Sequence, residues 1–243
     1  PADWQTDPGW DAGPAEWALY DAVRPIYGVD RHYEATIFTN PQRMDESTRT
    51  KAEDASAEDA LVFKHNVSEI IETENYAYRF LTTSFARVGS LAPYALVAST
   101  QEDCGATFHR ITAGLDDVTT SQFSYFPAGG AHQASYDTPD DLAFHDLLTL
   151  TLRSYPFDER PDLALDLVPD QTHTKTTTMT PSPATVRYVE RETIEVPYGE
   201  VDTHHLRVTH AEDGGATTSD YWFAADEDMR HVMVKYAGPY LSL

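Results

Sequence analysis

The chain has 243 residues, enough for one sizeable core, and its 41% hydrophobic and 12% aromatic content is that of a folded protein. Its 40 acidic residues against 17 basic ones leave a formal net charge of −23, which excludes docking on a nucleic-acid backbone, because neutralising phosphates needs a basic face. The single cysteine excludes an intrachain disulfide, and no apolar run approaches the ~18 residues of a membrane-spanning helix.

The acidity is spread along the chain, and lysine occurs only at Lys51, Lys64, Lys175 and Lys235. That is a solvated, halophilic surface; the competing reading is an acidic patch for a cation or a basic partner. The sequence opens Pro1-Ala2-Asp3-Trp4 without Met, and reads as an extracytoplasmic protein, secreted or periplasmic, with its leader removed.

In chain order, residues 1–13 read as a loose N-terminal arm. Residues 14–24 predict a helix, with Pro14 and Glu16 at its start and Trp17, Tyr20 and Val23 as its apolar stripe. A strand follows from His32 to Thr39, then a polar excursion over residues 40–60, then strands over Leu61–Asn66 and Val67–Thr73. Tyr76 to Thr112 holds three strand-like runs at a period of two, a β-meander with Asp103-Cys104-Gly105 as one of its turns. Ser121–Phe126 continues it.

Thr138-Pro139-Asp140-Asp141 carries the full signature of a helix N-terminus, so a second helix is expected over residues 139–153, between two meanders. Leu163–Val168 reads as a strand. Residues 170–183, rich in Thr, read as a solvated loop or an edge strand. Val186–Tyr198, Asp202–His210, Thr217–Phe223 and His231–Ala237 complete the second meander, with a hairpin turn at 212–215. The expected fold is mainly β in a single domain, 1–243: an antiparallel curved sheet or unclosed β-barrel of about ten strands with two helices, one plugging the concave face.

The run from Lys64 to Phe126, with its TENYAYRFLTTSF and STQEDCGATFHRI segments, the Gln-Glu-x-Cys-Gly core and the later SYF, resembles a family of uncharacterised bacterial secreted or envelope proteins. Some members of that family are labelled septum formation inhibitors. The Ser-Pro-Arg-Arg opening that the label requires is absent here, so the name does not carry over. The stretch from Ile194-Glu195-Val196-Pro197-Tyr198-Gly199 to Ala237 is similar in pattern to periplasmic β-proteins of unknown function and of the lipoprotein-carrier kind. That similarity implies an unclosed barrel with a helical plug or lid.

No catalytic signature stands out: Gly-x-Ser-x-Gly, a phosphate-binding Gly-rich loop, HExxH and CxxC are all missing. Cys104 has only acidic neighbours in sequence, Glu102 and Asp103, and reads as a buried structural thiol. His204 and His205 point to opposite faces of their strand, and a zinc site would need ligands converging from separate strands, so no metal and no cofactor are expected. The expected function is that of a non-catalytic cell-envelope protein taking a hydrophobic or lipid-like ligand in a barrel-like cavity, with Tyr76, Tyr78, Phe80, Tyr94 and Phe108 as candidate lining residues. The alternatives are a structural or assembly protein without ligand, and a hydrolase whose residues converge near Glu102 and His109.

Overall fold

The computed structural model describes residues 4–10, 13, 15–53, 56, 59–212 and 215–243. Fifteen strands run in order through these residues: β1 (Glu16–Ile26), β2 (Val29–Asp45), β3 (Thr50–Lys51), β4 (Ala60–Glu72), β5 (Ala77–Arg87), β6 (Pro93–Glu102), β7 (Gly105–Ala113), β8 (Asp117–Ser124), β9 (Gly130–Asp137), β10 (Leu142–Phe144), β11 (Leu163–Val168), β12 (Ser182–Val196), β13 (Gly199–Glu212), β14 (Gly215–Ala224) and β15 (Met233–Ala237). One short helix, α1 (Leu148–Thr151), lies between β10 and β11 and is extended at both ends by 3-10 turns, His145–Leu147 and Leu152–Ser154.

The first nine strands form one sheet in the order β1-β2-β4-β5-β6-β7-β8-β9, with β3 folded onto β2; β10 to β15 form a second sheet in sequence order. Every pairing is antiparallel except β10 with β11. Ser242 bridges Val23 of β1 and Ala237 of β15, so the two sheets meet along a narrow seam. The outermost strands β9 and β10 are not paired with each other, and the surface stays open.

The helical segment fills the space between the sheets because it is apolar on both sides. Leu147 and Leu150 pack with Phe63, Leu96 and Ile111 of the first sheet. Leu148 and Leu152 pack with Val186, Leu206 and Val208 of the second. A helix that is hydrophobic all round belongs inside a core.

The mainly β, open, antiparallel architecture matches expectation, but the two helices do not. The expected helix over 14–24 is strand β1. Ala22, Arg24 and Ile26 are buried at a period of two while Trp17 and Leu19 are exposed. Tyr27 and Gly28, with φ of 53° and 73°, make the two-residue turn into β2 whose twist suits a hairpin. Pro14 lies outside the described residues. The helix expected over 139–153 starts later. The Thr138 hydroxyl donates to the Gly114 carbonyl at 3.2 Å instead of capping, Leu142–Phe144 pairs as β10, and helical structure begins at His145.

Three further expectations need correction. The described part of the N-terminal arm is packed down: Trp4 and Trp10 are buried against Phe63, at ring distances of 5.0 and 5.3 Å, and residues 1–3, 11 and 12 lie outside the described set. The polar excursion over 40–60 is largely sheet, since β2 runs on to Asp45 and pairs with β4 through Met44↔Ala60; residues 54, 55, 57 and 58 lie outside the described set. Cys104 is exposed, at the tip of the β6–β7 hairpin, where its thiol donates to the Tyr76 hydroxyl at 3.3 Å. The expected turn at 212–215 joins β13 and β14, although Asp213 and Gly214 are outside the described set.

The Thr-rich stretch is not an edge strand, and only part of it is solvated: Gln171, Thr172 and Met179 are buried, whereas Lys175, Thr178 and Thr180 are exposed. Residues 169–181 cross the inward face of the first sheet as a strap. The inward side chains of that sheet are polar here and bond to it: Thr82 to the Thr172 hydroxyl at 2.8 Å, Thr107 to the Thr174 carbonyl at 2.6 Å, and the His109 Nδ1 to the Gln171 carbonyl at 2.9 Å. Most of these buried polar groups find partners across the contact, while the His109 Nε2 and the Gln171 Oε1 have none.

Candidate functional site

Between the strap, the helical segment and the second sheet lies a narrow cavity of about 80 Å³. Ile37, Val67, Leu167, Val208, Leu241 and Leu243 make its apolar walls. It shares Asp170, His210 and Tyr240 with a more open basin of about 570 Å³ along the strap.

The polar side of the cavity has two halves. In the first, Arg24 from β1 holds Glu69 from β4 in a two-pronged bond, Nε to Oε2 at 3.1 Å and Nη2 to Oε1 at 2.9 Å. Both side chains are almost fully buried, and the Tyr33 hydroxyl also donates to Glu69. Burial disfavours the guanidinium charge, but Glu69 and Asp170 outweigh it and raise the Arg24 pKa. Burial, followed by the Glu69 charge, pushes Tyr33 up.

The second half follows from the one parallel pairing. β10 and β11 run side by side with Phe144 opposite Val168, so the chain leaves both strands at the same end. His145-Asp146 and Asp170 therefore emerge together, and their donor atoms lie within 4.8 Å of one another. Each carboxylate is half-buried, with part of it facing the cavity. Two carboxylates so close cannot both ionise easily. Burial and the neighbouring Asp170 charge raise Asp146, whose carboxyl donates a hydrogen bond to Asp170. Burial opposes the charge on Asp170, but His173, His145 and Arg24 outweigh it and lower its pKa. The Thr172 amide also donates to Asp170, at 2.9 Å. The His145 Nε2 sits 3.4 Å from the Tyr221 hydroxyl and 3.3 Å from that of Tyr236. The arrangement can bind a polar head by donor and acceptor, hold a proton on Asp146, or offer His145, Asp146 and Asp170 to a cation.

None of the five aromatic candidates lines this cavity. Tyr76, Tyr78 and Phe80 form a ladder along β5 and its approach, with ring distances of 5.5 and 6.1 Å, in a separate cluster with Ile26 and Ile71. Phe80 touches the site only indirectly, its ring lying under the Arg24 guanidinium at 5.1 Å. Tyr94 is buried beneath the guanidiniums of Arg49 and Arg87, and Phe108 is exposed on the outer face. Glu102 and His109 are not brought together. Glu102 accepts from the Tyr76 hydroxyl at 3.1 Å at the hairpin tip, whereas His109 stands opposite Ala98, roughly 13 Å along the strand, bonded to the strap. The residues that build the cavity's polar side had no sequence motif to mark them. The one available signal was Arg24 as the lone basic residue of the run Glu16–Ile26.

The family model for a protein of unknown function, DUF3108, matches residues 82–239, more than half of the chain. The chain belongs to the DUF3108 family. No curated protein and no solved structure matches it. The DUF3108 segment supplies His145, Asp146, Asp170, Tyr221 and Tyr236, while Arg24, Tyr33 and Glu69 come from strands ahead of it. The polar side is thus assembled from both sides of the family boundary.

Proposed function

We propose that this DUF3108 protein is a non-catalytic binding protein of the cell envelope whose ligand is small and amphipathic, with an apolar body between the sheets and a polar head at Asp170 and Arg24. The observation that carries the reading is an apolar-walled cavity ending on buried, paired charges. Charges cost several kcal/mol each to bury, and a purely structural core fares as well without them. The cavity is well below the roughly 300–1,000 Å³ of common ligand pockets, so a ligand enters only as a wall gives way. Residues 239–243 are that wall: Tyr240, Leu241 and Leu243 line the cavity, and Ser242 is held by single bridges to Val23 and Ala237. The envelope setting rests on the likeness to secreted and lipoprotein-carrier proteins in sequence pattern.

The test uses N-phenyl-1-naphthylamine, a neutral apolar probe with one N–H donor, titrated at ~0.5 M NaCl. Saturable fluorescence enhancement at one probe per chain, lost in a Thr217→Trp variant that fills the cavity but melts normally, is the expected result. Equal enhancement in both proteins, or none in either, refutes cavity binding.

A second reading, assembly without a ligand, is favoured by one surface feature. Leu81, Phe108 and Phe123 are exposed along one register row of the outer face, separated only by Ser99. Sedimentation of wild type against Phe108→Ser reads it, since a self-associating face loses mass in that variant.

A further inference from the structure

We infer that Glu190, Glu192 and His205 form a divalent-cation site on the face of β13 opposite the cavity. Val208 and His210, which line the cavity, have the other parity along the strand.

The site exists because of a β-bulge. Tyr188 pairs with Leu206, but after a register shift Glu190 pairs with His205 and Glu192 with Thr203. Without the extra residue Glu190 would stand opposite His204 and project to that histidine's side. The bulge moves Glu190 and Glu192 onto the face of His205, so that three donor groups from two strands come within 4.8 Å of one another.

The second observation is the histidine itself. His205 is 6% exposed, and its Nε2 lies 2.7 Å from Asp220 Oδ1. An ionised carboxylate only accepts, so Nε2 carries a proton and Nδ1 is the ring atom left to face the glutamates. That Nδ1 is buried, has no hydrogen-bond partner, and faces Glu192 Oε1 at 3.5 Å. A buried ring nitrogen without a hydrogen-bond partner, set beside two carboxylates, is a donor set that a cation would complete. A carboxylate that fixes the ring through its far nitrogen is the usual support of a metal-bound histidine. The surroundings hold the ligands in place: the Trp222 Nε1 donates to Glu192 at 2.8 Å, its ring stacks on His205 at 4.3 Å, and Arg207 holds Asp220 at 2.8 Å. Glu190 is exposed and completes the set from the solvent side. One imidazole and two carboxylates with an open fourth position suit zinc or a neighbouring transition metal rather than calcium, which prefers six to eight oxygens.

The test is calorimetric titration with Zn²⁺ at ~0.5 M NaCl, which screens the diffuse acidic surface, with Co²⁺ absorption reporting nitrogen ligation. One saturable site is expected, weakened more than tenfold in His205→Gln and in Glu192→Gln, and roughly 10–100-fold in Asp220→Asn, which touches no metal. Should His205→Gln fail to fold, Glu190→Gln, an exposed side chain, carries the test. Weak uptake that none of these variants changes, or binding lost in His145→Gln instead, overturns the assignment.

Discussion

The Arg24 guanidinium and the Glu69 carboxylate bond to each other through two atoms each, across the intervening strand β2, with both side chains nearly inaccessible to water. Removing one partner strands the other. Glu69→Ala is therefore expected to cost about 3–5 kcal/mol, whereas the paired replacement Arg24→Met with Glu69→Leu costs much less. Urea unfolding of the three proteins measures the difference, and a double variant as unstable as the single one would contradict it.

His65 sets an acid limit on stability. Its ring is buried between the Thr39 and Thr149 hydroxyls, each at 2.8 Å. Burial, followed by the charge of Arg153, lowers its pKa to about 3. The unfolded chain takes up this proton near pH 6.5 and the folded one only near 3, so stability is complete above about 6.5 and falls as the pH drops through that window. The slope from this residue reaches roughly 1.4 kcal/mol per pH unit. His65→Gln should flatten the acid side of a stability-against-pH curve, and an unchanged slope would count against the argument.

The strap is expected to loosen before the sheet. Thr107 supplies hydroxyl contacts both to the Thr174 carbonyl and to the Ser124 hydroxyl. Thr107→Val keeps the shape and removes both, at a cost of roughly 0.5–1.5 kcal/mol, since the Thr174 carbonyl keeps the Ser124 hydroxyl at 3.1 Å. Hydrogen exchange should quicken at 170–178 while β5 to β7 stay protected.

Cys104 is open to reagents. A thiol at an exposed hairpin tip should titrate fully in the native protein, and Cys104→Ala should change stability by no more than about 0.5 kcal/mol. Labelling that waits for denaturant would show that the tip is covered in solution.

The net charge of −23 makes self-repulsion a standing cost in dilute buffer. The melting temperature should climb from low to molar NaCl as screening relieves it. A flat or falling curve would shift weight to a functional acidic surface.

The central meander was legible because Tyr78, Phe80 and Thr82 face inward at a period that only a strand supplies, and the strand Leu163–Val168 stood out for the same reason. Strand β1 was not, because Trp17, Tyr20 and Val23 also fall at helical spacing. The strap was misread because a threonine bonded to buried side chains has the same composition as one bonded to water. The meeting of Asp146 with Asp170 depends on a parallel pairing of three residues, and that of Glu190 with His205 on a bulge beside Val189. Neither event has a sequence signature, since each is decided by register.

The seam at Ser242 gives the chain a slow final step. The Val23 N–H points away from β2 and reaches the Ser242 carbonyl at 3.0 Å, a contact between residues almost a full chain length apart. Loop-closure entropy delays such contacts, so the outer edge of β1 waits unpaired while the rest of its sheet assembles. Two residues along that edge stands Pro25, which has no N–H to offer a foreign strand. Pro25 thus guards the growing sheet against partners that arrive before its own.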